Sequence, residues 1–147
     1  MLTLLLLSSA PSPGSPLLRS PAAEGPVRPA LPALLPEGVS EWTGSFTCAQ
    51  GLTDLSLTIT RTGEHLWATF AFGPLPENPG VPSGAFRMHG TVDGGHVELA
   101  PSEWLERPAH YVTVGLEGDL DPAARALEGV VRTPLRGCTT FVVHPEH

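Results

Sequence analysis

Leu55-Ser56-Leu57-Thr58-Ile59-Thr60-Arg61-Thr62-Gly63-Glu64-His65-Leu66-Trp67-Ala68-Thr69-Phe70-Ala71-Phe72 is written with a period of two. Leu55, Leu57 and Ile59 alternate with Ser56, Thr58 and Thr60, and beyond Thr62-Gly63 a second apolar row follows at Leu66, Ala68, Phe70 and Phe72. Side chains alternate across a strand, so each row marks one buried face, and the Gly between the rows marks a hairpin turn.

The same period extends in both directions. A strand is expected from Trp42 to Cys48; Phe86, Met88 and Val92 form another row, and Asp93-Gly94-Gly95 turns the chain into Val97 and Leu99. Val112, Val114 and Leu116 make a sixth run, Leu127 and Val131 a seventh, and Cys138 to Val143 an eighth that pairs with the first. No segment has helical periodicity, although Ser102–Arg107 and Ala123–Leu127 each have room for one turn. Eight short strands joined mostly by tight turns predict an all-β, eight-stranded antiparallel up-and-down barrel, because closure removes both exposed edges. The alternative is a two-sheet β-sandwich. Gly44, Gly90, Gly118 and Gly129 fall inside strands, where a small barrel coils sharply.

Composition bounds the rest. The 147 residues include 16 Gly and 17 Pro, too many for a helix bundle when an interior Gly costs about 1 kcal/mol and a Pro about 3. The net charge is −7, which argues against nucleic acid or an anionic membrane surface as partner. All basic residues are Arg, and Asn78, Ile59 and Tyr111 are each the sole example of their type. That bias fits GC-rich bacterial coding and gives the missing lysines no functional meaning.

Residues 2–10 are apolar and end in Ser8-x-Ala10, the small-x-small pattern of a signal-peptide cleavage site. The run is too short for a membrane-spanning helix, which needs about 20 residues. Residues 11–38 carry eight prolines and read as a semi-extended linker; Leu31, Leu34 and Leu35 have the option of docking on the domain, but a solvated linker is the expectation. The expected organisation is therefore 1–10 export segment, 11–38 linker and 39–147 one barrel domain. Cys48 and Cys138 have no His at zinc-finger spacing, and in an exported chain they are expected to form a disulfide joining the first and last strands. The expected location is secreted or periplasmic.

The opening Trp42-x-Gly44-x-Phe46-x-Cys48-x-Gln50-Gly51, with Pro101-x-x-Trp104, Tyr111-x-x-x-Gly115 and Gly137-Cys138-x-x-Phe141, resembles a group of uncharacterised bacterial extracytoplasmic domains. The resemblance spans residues 41–144 and implies an exported small barrel, with no activity to carry over. More distantly the architecture is similar to lipocalin and avidin barrels, which hold small ligands in the barrel mouth. Those barrels open with Gly-x-Trp and this chain has Trp42-x-Gly44, so their pocket and ligand class do not carry over.

Catalytic signatures are few. There is no Gly-x-Ser-x-Gly elbow, phosphate loop or dinucleotide fingerprint. Glu103 and Glu106 offer the carboxylate pair a glycosidase needs, but fifteen acidic residues make such pairs unavoidable. His144-Pro145-Glu146-His147 reads as a solvated tail, and His65, His89, His96 and His110 fall in separate strands or loops. The expectation is a noncatalytic module with no cofactor or metal that binds an unknown small ligand, glycan or protein; the alternative is a secreted inhibitor or structural interaction domain with a solid core and no pocket, acting through its outer surface. Two residue groups are its candidate ligand-binding positions. Trp104, His110 and Tyr111 flank the Arg107-Pro108 loop, where they either rim a barrel mouth or plug it. Trp67, Arg87 and His89 lie off the apolar rows, so Trp67 is either an exposed anchor or is covered by the loop from Gly73 to Ser83.

Overall fold

A computed structural model describes residues 34–146 of the protein. The expected export segment 1–10, residues 11–33 of the Pro-rich stretch and His147 lie outside the described residues. Eight strands follow one another: β1 Gly38–Cys48, β2 Gly51–Thr62, β3 His65–Gly73, β4 Gly84–Asp93, β5 His96–Glu106, β6 Gly115–Asp121, β7 Ala126–Arg132 and β8 Thr140–Pro145. Each pairs antiparallel with the next, and β1 also pairs with β8, so the sheet is a closed barrel. The sandwich alternative is thereby excluded.

The period-two rows do what their spacing requires. Leu55, Leu57, Ile59, Leu66, Phe70, Phe86, Met88, Val97, Leu99, Leu116, Leu127 and Val143 are all buried in one core. Gly94 and Gly95 both have positive φ (58° and 89°), the backbone of a tight type I′ hairpin turn. Gly44 is the closest approach at the seam: it lies between Leu55 of β2 and Val143 of β8, and a Cβ there would overlap the Val142 carbonyl. Cβ atoms on Gly90, Gly118 and Gly129 would likewise strike the carbonyl oxygen of an adjacent strand.

Three expectations are corrected. The sixth strand begins at Gly115, and Val112 to Val114 belong to the loop before it. Tyr111 stacks on Phe72, with ring centroids 5.5 Å apart, so this stretch folds over the barrel end instead of joining β5. The C-terminal residues are not a loose tail either. His144 and Pro145 pair with Thr43 and Trp42, and the Glu146 N–H donates to the Glu41 carbonyl at 2.8 Å.

The third correction concerns the described end of the linker. Leu34 and Leu35 are 3% and 0% exposed and join the core at the end of the barrel where β2 turns into β3. Arg61 Nη1 donates to the Leu35 carbonyl at 2.8 Å, and the Gly63 N–H donates to Glu37 Oε1 at 2.8 Å. These polar contacts satisfy a segment whose prolines deny it a place in the sheet. The barrel is therefore stoppered at one end.

The disulfide between Cys48 and Cys138 is present and links positions 90 residues apart. A loop of that length corresponds to about 4–5 kcal/mol in the chain-entropy model. Replacing both cysteines with Ala should lower stability by about 2–5 kcal/mol, read as a fall in the urea midpoint. Leu35→Ala should cost about 2–5 kcal/mol through the cavity it opens; an unchanged midpoint would show that the stopper contributes nothing to the fold.

Candidate functional site

The end opposite the stopper is open. It carries the Ala49-Gln50 turn and the three longer loops 74–83, 107–114 and 133–139. Phe46 lies near the end of β1, Phe70 and Phe72 near the end of β3, and Phe86 near the start of β4. Antiparallel order brings these positions to the same end, where the rings pack together: Phe70 stacks on Phe86 with centroids 4.5 Å apart, and Phe46 meets Phe70 edge-on at 5.1 Å. Above them is a cavity of about 270 Å³. Its wall holds the four phenylalanines, Val112, Val114 and Leu135, and its polar lining comes from Gln50, His110, Tyr111 and Arg136.

The loops around this mouth are fastened. Asn78 Nδ2 donates to the Gln50 and Leu52 carbonyls at 2.8 and 2.9 Å, tying loop 74–83 to the first hairpin. The disulfide, itself part of the cavity wall, ties loop 133–139 to the end of β1. Arg107 Nε donates to the Tyr111 carbonyl at 3.0 Å across the third loop. Within that loop His110 has φ 69°, a left-handed turn conformation that costs a non-Gly residue about 1 kcal/mol or more.

The candidate residues separate into two places. His110 and Tyr111 line the mouth. Trp104 stands behind it, meeting Phe86 and Phe72 edge-on at 5.2 and 6.3 Å and lying beneath the Arg107 guanidinium at 5.8 Å. It supports the wall without being part of the lining. Trp67, Arg87 and His89 lie on the outside of the barrel, where Trp67 is 52% exposed and is not covered by the loop from Gly73 to Ser83. Sequence reasoning placed Phe70, Phe72 and Phe86 in apolar rows and Phe46 in the first strand, but missed their shared role as a cavity wall. The signal was available, since once eight strands are counted their alternating direction assigns Phe46, Phe70, Phe72 and Phe86 to one end.

A polar cluster that sequence reasoning did not assemble lies on the outer face of β5 and β6. His96 Nδ1 is 2.9 Å from Asp119 Oδ1 and its Nε2 is 3.0 Å from Glu117 Oε2, with Glu98 at 3.5 Å. Carboxylates only accept hydrogen bonds, so both ring nitrogens donate when the imidazole is protonated. The hydrogen bonds to Asp119 and then to Glu117 raise the His96 pKa above its ordinary value of 6.5. Glu98 and Glu117 are direct cross-strand partners, a repulsive pair that the imidazolium and Arg132, 3.1 Å from Glu117, offset. Since β5 and β6 pair only from His96 to Leu99, this cluster acts as a clasp on a short seam.

Comparison with known proteins adds no assignment: no family model, curated protein or solved structure matches the chain.

The clasp makes stability depend on pH. A His pKa raised by folding stabilises fully below the unfolded value of 6.5 and loses that contribution as pH rises through the folded value. The urea midpoint should therefore fall as pH rises above about 6.5 and through the raised His96 pKa, and the fall should be smaller in His96→Gln. Identical pH profiles for the two proteins would remove His96 from this role.

Proposed function

We propose that the protein is an exported, noncatalytic binding module that takes a small, mainly apolar ligand into the mouth of its barrel. The observation that carries this reading is the 270 Å³ cavity, walled by phenylalanines at one end of a barrel whose other end is stoppered by Leu34 and Leu35. A dry apolar cavity of about 150 Å³ accepts benzene, and pockets for drug-sized molecules begin near about 300 Å³. A ligand of one ring or a short acyl chain fits between these limits. Gln50, His110 and Arg136 would meet its polar head, and Arg136 favours a carboxylate or carbonyl there.

Export is supported by the disulfide, which persists in oxidising compartments, together with the small-x-small pattern at Ser8 and Ala10. A bacterial extracytoplasmic origin and a lipocalin-like mode of binding are part of the same proposal and rest on the resemblance of the opening motif and the architecture. The second reading, an interaction domain that works through its outer surface, is favoured by one observation, the exposed Trp67.

Native mass spectrometry of the full chain exported by a bacterial host, followed by titration with benzoate, indole and hexanoate, tests the mouth. The expected result is a one-to-one noncovalent adduct with a co-purified molecule or one of these probes. Leu135→Trp, a bulky replacement on an exposed loop, should abolish the adduct while leaving the melting temperature near that of the parent protein. No adduct, or one indifferent to both Leu135→Trp and Tyr111→Ala, would overturn the assignment.

A further inference from the structure

Trp67 lies at the centre of an ordered polar grid on the outside of the barrel. On one row Thr60 of β2, Trp67 of β3 and His89 of β4 are cross-strand neighbours; on the next, Thr58, Thr69 and Arg87 are. Three strands and two rows make a platform of about 10 Å by 7 Å, and the depression over it also includes Ser102 and Glu103 of β5. Its large exposed apolar surface is the single indole.

The fifth strand carries an extra residue opposite this platform. Met88 pairs with Pro101 and Phe86 with Trp104, so Arg87 alone stands opposite two residues, Ser102 and Glu103. That is a β-bulge, a feature that re-aims side chains and recurs beside functional sites. In a regular strand, Ser102 and Glu103 would point to opposite faces. Here both are exposed and both border the depression beside Trp67. Glu103 Oε2 lies 3.4 Å from Arg87 Nε, and Ser102 Oγ donates to Glu103 Oε1 at 2.7 Å.

We infer that this outer wall is a carbohydrate-binding platform for one or two neutral pyranose residues, with Trp67 as the stacking surface and Arg87, Glu103 and the flanking hydroxyls as hydrogen-bond partners. The face of an aromatic ring is electron-rich and attracts the C–H groups that a pyranose presents on one side. The hydroxyls around the sugar's rim both donate and accept. The platform matches this division, with one ring bordered by donors and acceptors at strand spacing. Charge selects among sugars: Arg87 is already paired with Glu103, so an acidic sugar would find no unpaired cation in the pair. Protein-interface anchors lie in fully desolvated pockets; the threonines, Arg87 and His89 that border Trp67 are hydrogen-bonding groups at strand spacing, which the rim hydroxyls of a sugar match more completely than apolar side chains do. The inference is independent of the cavity at the mouth, which lies at the end of the barrel and shares none of these side chains.

The test is titration of the full chain with soluble hexasaccharides of β-1,4-glucose, β-1,3-glucose and β-1,4-N-acetylglucosamine, and with hexagalacturonate as the acidic comparison, followed by calorimetry and tryptophan fluorescence. At least one neutral hexasaccharide should bind in the micromolar to millimolar range and perturb the fluorescence. Trp67→Ala should weaken it about tenfold or more, the scale of an aromatic anchor. Trp67→Tyr should retain most of the binding, Glu103→Gln should weaken it, and Leu135→Trp at the mouth should leave it unchanged. Because Trp67 lies outside the core, the Ala variant should keep the parent melting temperature, which separates loss of the platform from loss of the fold. Absence of binding by all three neutral sugars, equal binding by Trp67→Ala, or a preference for hexagalacturonate would each overturn the inference.

Discussion

The barrel closes because Gly44 has no side chain. At this point β1 lies between β2 and β8, and the Val142 carbonyl occupies the space a Cβ would need. Without that approach the first and last strands would be two edges, and their unpaired N–H and C=O groups would require water or another chain. The Cys48–Cys138 bond lies beyond the same seam, where the Thr139 N–H also donates to the Thr47 carbonyl at 2.9 Å. Covalent and hydrogen-bonded closure therefore converge at the end of the barrel that remains open, so an open mouth is compatible with a fixed rim.

The two halves of the interior are built differently. Towards the stopper the core is chiefly aliphatic, with Leu57, Ile59, Leu66, Met88, Val92, Val97 and Leu127 around Trp42, whose indole N–H donates to Ser40 Oγ at 2.9 Å. Flexible aliphatic side chains interdigitate, and Leu34 and Leu35 complete the filling. Towards the mouth, Phe46, Phe70, Phe72 and Phe86 brace one another edge-to-face or stacked. Rigid rings that support each other cannot collapse as readily into the space above them, which gives a physical reason for the cavity to lie at this end.

Much of the fold was legible because a closed barrel has one inside and one outside, and alternation records that division directly. Leu55 to Phe72 shows both strands and the turn between them, and an even pair of cysteines in a chain read as exported, without histidines at zinc spacing, pointed to their bond. Legibility failed where tertiary contacts override local pattern. Val112 and Val114 alternate like strand residues, yet Tyr111 is held on Phe72 and the chain stays in a loop. Leu34 and Leu35 sit among prolines that exclude them from the sheet, but not from the barrel end. At the candidate sites the residue types were readable and their assembly was not: the His96 cluster needs the register of β5 against β6, and the pairing of Ser102 with Glu103 on one face needs a bulge that no local motif announces.

The stopper also fixes an orientation. The chain enters β1 at the stoppered end, and β8 runs from the mouth back to that end, so both ends of the described chain leave the barrel from the same side. A tether through either end would hold the barrel by its base, like a cup on a stem. The mouth would then lie on the far side of the barrel from the point of attachment, with the Trp67 wall on its flank. Two molecules of very different size, one diffusing to the mouth and one lying alongside the barrel, would have separate lines of approach.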